Sequence, residues 1–214
     1  LFPYTTLFRS DFAVTYPECT QIEGNIEIGS SSITDLTPLN SLTSITGNVL
    51  IHSNDSLSTL SGLENIDTIG GNLFIGAPYN HFISLTHYNE YGNHNLTNLS
   101  GLDGLQYIGG DVEISDNNSL LNLGGLSNLQ RIEGSLVIGR IYEVPYYNAD
   151  FFHFLDNNNL TNLNGLDNLT YVGNDVQIVA NPILTDLQSL GALSAVNGDF
   201  IFYANDNISN FVGL

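Results

Sequence analysis

Residues 54–75 read NDSLSTLSGLENIDTIGGNLFI, and residues 117–138 read NNSLLNLGGLSNLQRIEGSLVI. In each, an asparagine opens a run of apolar residues three apart. The first run is Asn54, Leu57, Leu60, Leu63, Ile66, Ile69; the second is Asn117, Leu120, Leu123, Leu126, Leu129, Ile132. A spacing of three sustained this long fits neither a long amphipathic helix nor a flat strand. It fits a chain bending around a core, with one apolar side chain turned inward per short segment. Each stretch then closes with period two, at Leu73-Phe74-Ile75 and Leu136-Val137-Ile138. That ending predicts a short strand with one buried face.

Working outward, the closing motif I-x-G-N-x-x-I recurs from Ile22, Ile45, Ile69, Ile108, Ile132, Val172 and Val196, in steps of 23, 24, 39, 24, 40 and 24. Against a period of 24, the two long steps carry insertions of about 15 and 16 residues, at 76–92 and 139–156. A unit this short cannot bury its apolar face alone; neighbours above and below must complete it. Stacking then sets equivalent strands about 4.8 Å apart in a parallel sheet. One position ahead of each leucine run recurs as Ser30, Asn54, Asn93, Asn117, Asn157, Asn181 and Asn205. It reads as an asparagine ladder, an inward amide in each turn satisfying backbone groups that the bend leaves unpaired. Before each strand, pairs such as Gly47-Asn48, Gly110-Asp111 and Gly198-Asp199 read as turn residues, the glycine tolerating positive φ and the Asn or Asp bonding its own backbone. The sixth unit departs, with Asn174-Asp175. The expected fold is an all-β repeat solenoid, a parallel β-helix of about seven leucine-rich coils with two long insertion loops.

Composition narrows the function. Of 214 residues, 22 are acidic and 3 basic, for a formal net charge of -19. The basic residues are Arg9, Arg131 and Arg140. Nucleic-acid binding needs a basic surface to displace counterions, and docking on anionic lipid needs one too; both are disfavoured. No apolar stretch reaches the length of a membrane span, so no membrane insertion is expected. Residues 1–10, LFPYTTLFRS, resemble the translation of a common short-read sequencing adapter and are set aside from fold reasoning.

The combined pattern resembles the receptor L-domain family. The opening Cys19-Thr20-Gln21-Ile22-Glu23-Gly24-Asn25-Ile26-Glu27-Ile28 is similar to that family's first coil. The resemblance implies a leucine-rich-repeat-like, right-handed β-solenoid, as in growth-factor receptor ectodomains, fungal cell-wall proteins and secreted Bacteroidetes-type proteins. It also implies a secreted or cell-surface location, a non-catalytic role and part of a longer chain. On this division residues 11–21 are the remnant of an N-terminal cap, and 22–214 are the solenoid, with its last coil cut. In the family a cysteine at the place of Cys19 often pairs with one upstream; a buried free thiol is the alternative.

The outward strand positions are Glu27, Leu50, Phe74, Glu113, Val137, Gln177 and Ile201. Their two carboxylates lie three coils apart, about 14 Å by strand spacing, farther than a general acid–base pair on a sugar requires. No phosphate loop, nucleophile elbow or HExxH motif is present, and no cofactor is implied. The insertions carry the candidate binding residues, Tyr79, Phe82, Tyr88 and Tyr91 in the first, Tyr142, Tyr146, Tyr147 and Phe152 in the second. Long loops on one face of a repeat scaffold commonly bind, and aromatic rings stack on sugars or protein partners. The same rings could instead pack the loops onto Phe74 and Val137. The histidines His81, His87, His94 and His153 match no standard zinc spacing, so no metal is expected. Seven N-x-[ST] sequons, among them Asn54 and Asn117, read as repeat grammar.

Overall fold

A computed structural model describes residues 6–7, 12–29, 31–77, 92–143 and 152–214. Each repeat contributes two strands. The period-two segments form the longer ones: Ile26–Gly29 (β3), Val49–His52 (β5), Leu73–Gly76 (β7), Val112–Ser115 (β9), Leu136–Ile138 (β11), Val176–Val179 (β15) and Phe200–Tyr203 (β17). The dipeptide just before each glycine turn forms a short one: Gln21–Ile22 (β2), Ser44–Ile45 (β4), Thr68–Ile69 (β6), Tyr107–Ile108 (β8), Arg131–Ile132 (β10), Tyr171–Val172 (β14) and Ala195–Val196 (β16). Thr6–Leu7 (β1) pairs in parallel with β3, and Phe12–Thr15 is a single helical turn (α1).

All pairings between repeats are parallel, giving one sheet in the order β1-β3-β5-β7-β9-β11-β15-β17 and another in the order β16-β14-β10-β8-β6-β4-β2. The register is set residue on residue: Val112 pairs with Leu136 and Ile108 with Ile132. Equivalent motif positions therefore stack, across the insertions as well as between uninterrupted repeats. The described chain is mostly strand and turn, with little helix. Between the sheets lies one apolar core. The leucines three apart, such as Leu120, Leu123, Leu126 and Leu129, are all buried, with Ile108, Ile132 and Val172 from the short strands.

Two polar ladders run through this stack at its corners. Asn54, Asn93, Asn117, Asn157, Asn181 and Asn205 are buried. The Asn93 amide Nδ2 donates to Ile51 O of the preceding repeat and to Asn117 Oδ1 of the next, each at 3.0 Å. The Asn181 backbone N–H donates in turn to Asn205 Oδ1. The second ladder corrects the reading of the Gly-Asn pairs. Those side chains do not bond their own backbone; each accepts the backbone N–H of its counterpart one repeat on. Asn48 N–H donates to Asn25 Oδ1 at 2.7 Å, Asn72 N–H to Asn48 Oδ1 at 2.8 Å and Ser135 N–H to Asp111 Oδ1 at 2.8 Å.

This geometry accounts for the glycine. A Cβ at Gly110 would lie 2.1 Å from Asn72 Oδ1, and one at Gly134 2.2 Å from Asp111 Oδ1. The sixth repeat's departure follows from the same contact. Its neighbour in the ladder is Ser135, whose shorter side chain reaches Asp175 N–H only at 3.4 Å. The space that elsewhere demands glycine is thereby open to Asn174.

Candidate binding surface

Both insertions are launched by the same backbone device. In uninterrupted repeats the chain leaves the long strand through a left-handed residue directly before the ladder asparagine: Ser53 (φ 54), Asp116 (φ 60), Ala180 (φ 56) and Ala204 (φ 55). In the two inserted repeats the left-handed residue comes one position earlier and is glycine, Gly76 (φ 102) and Gly139 (φ 73). A Cβ at Gly76 would sit 1.7 Å from Ser115 O, and one at Gly139 1.9 Å from Val179 O. Only glycine fits either position.

The second insertion does not begin and end as a loop. Arg140–Glu143 (β12) and Phe152–Leu155 (β13) pair antiparallel, with Arg140 opposite Leu155 and Glu143 opposite Phe152. The dense β-branched and aromatic content of RIYE and FHFL is the signal that could have predicted this.

Strand β9 stands between the two launching strands β7 and β11 and bonds to both roots. On the first insertion's side, Ser115 Oγ donates to Ala77 O at 2.9 Å, and Ala77 N–H donates to Ser115 O at 3.2 Å. On the second, Arg140 Nη2 donates to Glu113 Oε2 at 2.9 Å. Glu113 Oε1 also lies 3.4 Å from Ser115 Oγ. Serine and glutamate on one strand thus form a continuous polar chain from one insertion root to the other.

Among the sequence-predicted binding residues, Tyr79, Phe82, Tyr88, Tyr91, Tyr146 and Tyr147 lie outside the described residues, as do His81 and His87. Tyr142 and Phe152 lie on the hairpin, paired with His153 and Glu143 respectively. The outward row is not an open shelf. Leu50, Glu113 and Val137 are only 7%, 3% and 4% exposed, while Ile201 at the far end is 40% exposed. The two carboxylates of the row are separated by β5 and β7, and each has a basic partner. Glu27 Oε1 lies 3.1 Å from His52 Nε2, and Glu113 is bound by Arg140.

A cluster on the other sheet was not anticipated. Tyr107, Arg131 and Tyr171 occupy the same motif position on the adjacent strands β8, β10 and β14. Arg131 grips Glu133 with Nε at 2.6 Å and Nη2 at 3.1 Å, while its Cζ sits 3.6 Å from the Tyr171 ring centroid. Asn197 Nδ2 donates to Tyr171 Oη at 2.9 Å. The Arg131 hydrogen bonds hold the Glu133 carboxyl below its ordinary range, and the same bonds raise the Arg131 guanidinium. The stacking was legible in principle from the position before each motif, which reads Gln21, Ser44, Thr68, Tyr107, Arg131, Tyr171, Ala195.

Cys19 is a half-buried free thiol whose Sγ lies 3.3 Å from Gln21 O. Among the described residues, no group of three or more His, Cys, Asp or Glu could hold a metal ion, and no helix is long and apolar enough to cross a membrane. Neither the search of curated proteins nor that of solved structures gave a match. Residues 18–84 match the family model of the receptor L domain, the family that the opening motif resembles.

Proposed function

We propose that this chain is a non-catalytic recognition module, secreted or displayed at a cell surface, that binds a protein or glycan partner through its two aromatic insertions. On this reading the repeats form a right-handed solenoid of seven coils, and Tyr79, Phe82, Tyr88, Tyr91, Tyr142, Tyr146, Tyr147 and Phe152 supply the contact surface. One observation carries the proposal: both insertions leave the same end of β7 and β11 and are tied to the single strand between them. A scaffold that fixes two loop roots side by side preorganises whatever the loops present, which lowers the ordering cost of binding. The receptor L-domain match over residues 18–84 supports ligand recognition as the general class.

The separated and individually paired carboxylates, Glu27 with His52 and Glu113 with Arg140, speak against a glycosidase-type acid–base pair. A second reading, a structural spacer within a larger surface protein, is favoured by the burial of Leu50 and Val137 on the outward row. A combined glycan and protein binding screen separates the two. Recognition predicts a ligand whose binding is lost on Tyr146→Ala/Tyr147→Ala with an unchanged melt. The spacer predicts silence in the screen and a large loss of melting temperature in the same variant.

A further inference from the structure

The insertions leave from the long-strand sheet; the short-strand sheet presents a separate outer face, centred on the row Tyr107, Arg131, Tyr171. The molecule carries a formal net charge of -19, yet over 106–109, 130–133 and 170–173 the only charges are Arg131 and Glu133, which cancel. Hydrogen-bonding groups are left over here. Gln106 and Gln130 are exposed at the rim of the row, and their carboxamides make no hydrogen bond to a described residue. Arg131 keeps 43% of its side chain exposed, and its guanidinium has N–H groups beyond those that bind Glu133. The Tyr171 ring is fixed from two sides, by Arg131 over one face and by Asn197 at the hydroxyl. The next residue of the row is Ala195 on β16, too short to cover the ring's other face.

We infer that this face is a binding site for a neutral oligosaccharide, with a sugar ring stacked on the uncovered face of Tyr171 above Ala195 and neighbouring hydroxyls taken by Arg131, Gln130 and Gln106. Charge and polarity select that ligand. An anionic polymer meets the field of an acidic molecule and an arginine already neutralised by Glu133. A basic peptide finds no uncompensated carboxylate in the row. A protein partner needs a desolvated apolar anchor, and none of the exposed large apolar side chains among the described residues lies on these three strands. A sugar asks for what is present, an aromatic ring face ringed by amide and guanidinium groups that match hydroxyls. The ring is held in place before a ligand arrives, which lowers the ordering cost of binding. The site is independent of the insertions.

The test titrates the full chain calorimetrically with cellohexaose, laminarihexaose and mannohexaose, and with hexagalacturonate as the anionic control. Thermal melts accompany every variant. Binding of at least one neutral hexasaccharide is expected, weakened roughly tenfold or more by Tyr171→Ala. Ala195→Phe is expected to weaken it as much with no loss of Tm, because it covers the ring face and removes no polar group. Tyr146→Ala/Tyr147→Ala is expected to leave this binding unchanged, which keeps the site distinct from the insertions. Silence with all three neutral sugars, or binding of hexagalacturonate alone, overturns the inference. So does neutral-sugar binding that survives Ala195→Phe, or that is lost only with Tyr146 and Tyr147.

Discussion

Asn117 shows what a single residue does in this fold. It is fully buried, and its Nδ2 donates to Ile75 O at 2.9 Å and to Ser115 O at 3.0 Å. Leucine there would take the amide donor away from both carbonyls, leaving Ser115 O only the Ala77 N–H. Asn117→Leu should destabilise by about 1–3 kcal/mol, read from urea melts; an unchanged midpoint would remove the ladder from the energetics. Ser135 and Asn174 make a sharper case. Ser135→Asn should drive an amide oxygen into the Cβ of Asn174, and Asn174→Gly should relieve it. A double-mutant cycle is expected to show favourable coupling of roughly 0.5–3 kcal/mol, and strict additivity would refute the contact. Burial also bears on the sequons, since Asn54 and Asn117 are inaccessible in the folded chain.

At the scale of elements, the two glycine exits and strand β9 govern how the insertions are held. Gly139→Ala places a methyl group against the Val179 carbonyl at positive φ. It should cost about 1–3 kcal/mol and speed hydrogen exchange in β12 and β13 more than in β9. Equal acceleration everywhere would mean that the glycine supports the whole stack and not the hairpin. The pair of short strands carrying Arg131 and Glu133 makes a pH-dependent contribution. The Glu133 carboxyl is held below its ordinary range in the folded state, chiefly by its hydrogen bonds to Arg131. Its stabilisation is therefore fully present above the unfolded carboxylate pKa and is lost as pH falls through the depressed folded value. The pair is partly open to solvent, so the effect is small. Acid melts of wild type and Glu133→Gln should differ slightly at neutral pH and converge in strong acid; divergence on acidification contradicts the pairing.

For the whole molecule, charge and stacking oppose each other. A formal net charge of -19 on 214 residues repels the repeats from one another, and salt screens that repulsion with a Debye length of about 8 Å at 0.15 M. Raising sodium chloride from low ionic strength should therefore raise Tm, followed by circular dichroism, and a falling Tm would show that ion pairs such as Arg140–Glu113 outweigh the general repulsion.

Much of the architecture was legible in the chain itself. The three-residue leucine spacing and the period-two endings set which side chains turn inward, because both periods follow from the geometry of one short segment. Stacking of like on like followed, because a unit of 24 residues must bury its face against a neighbour of the same shape. Tertiary structure decided what meets across repeats: the serine that admits Asn174, the arginine that crosses from the hairpin root to Glu113, and the sealing of Leu50 and Val137. The first two of those contacts join residues 39 and 27 positions apart, and no local pattern encodes them. They exist only once register, insertions and side-chain length are fixed together in three dimensions.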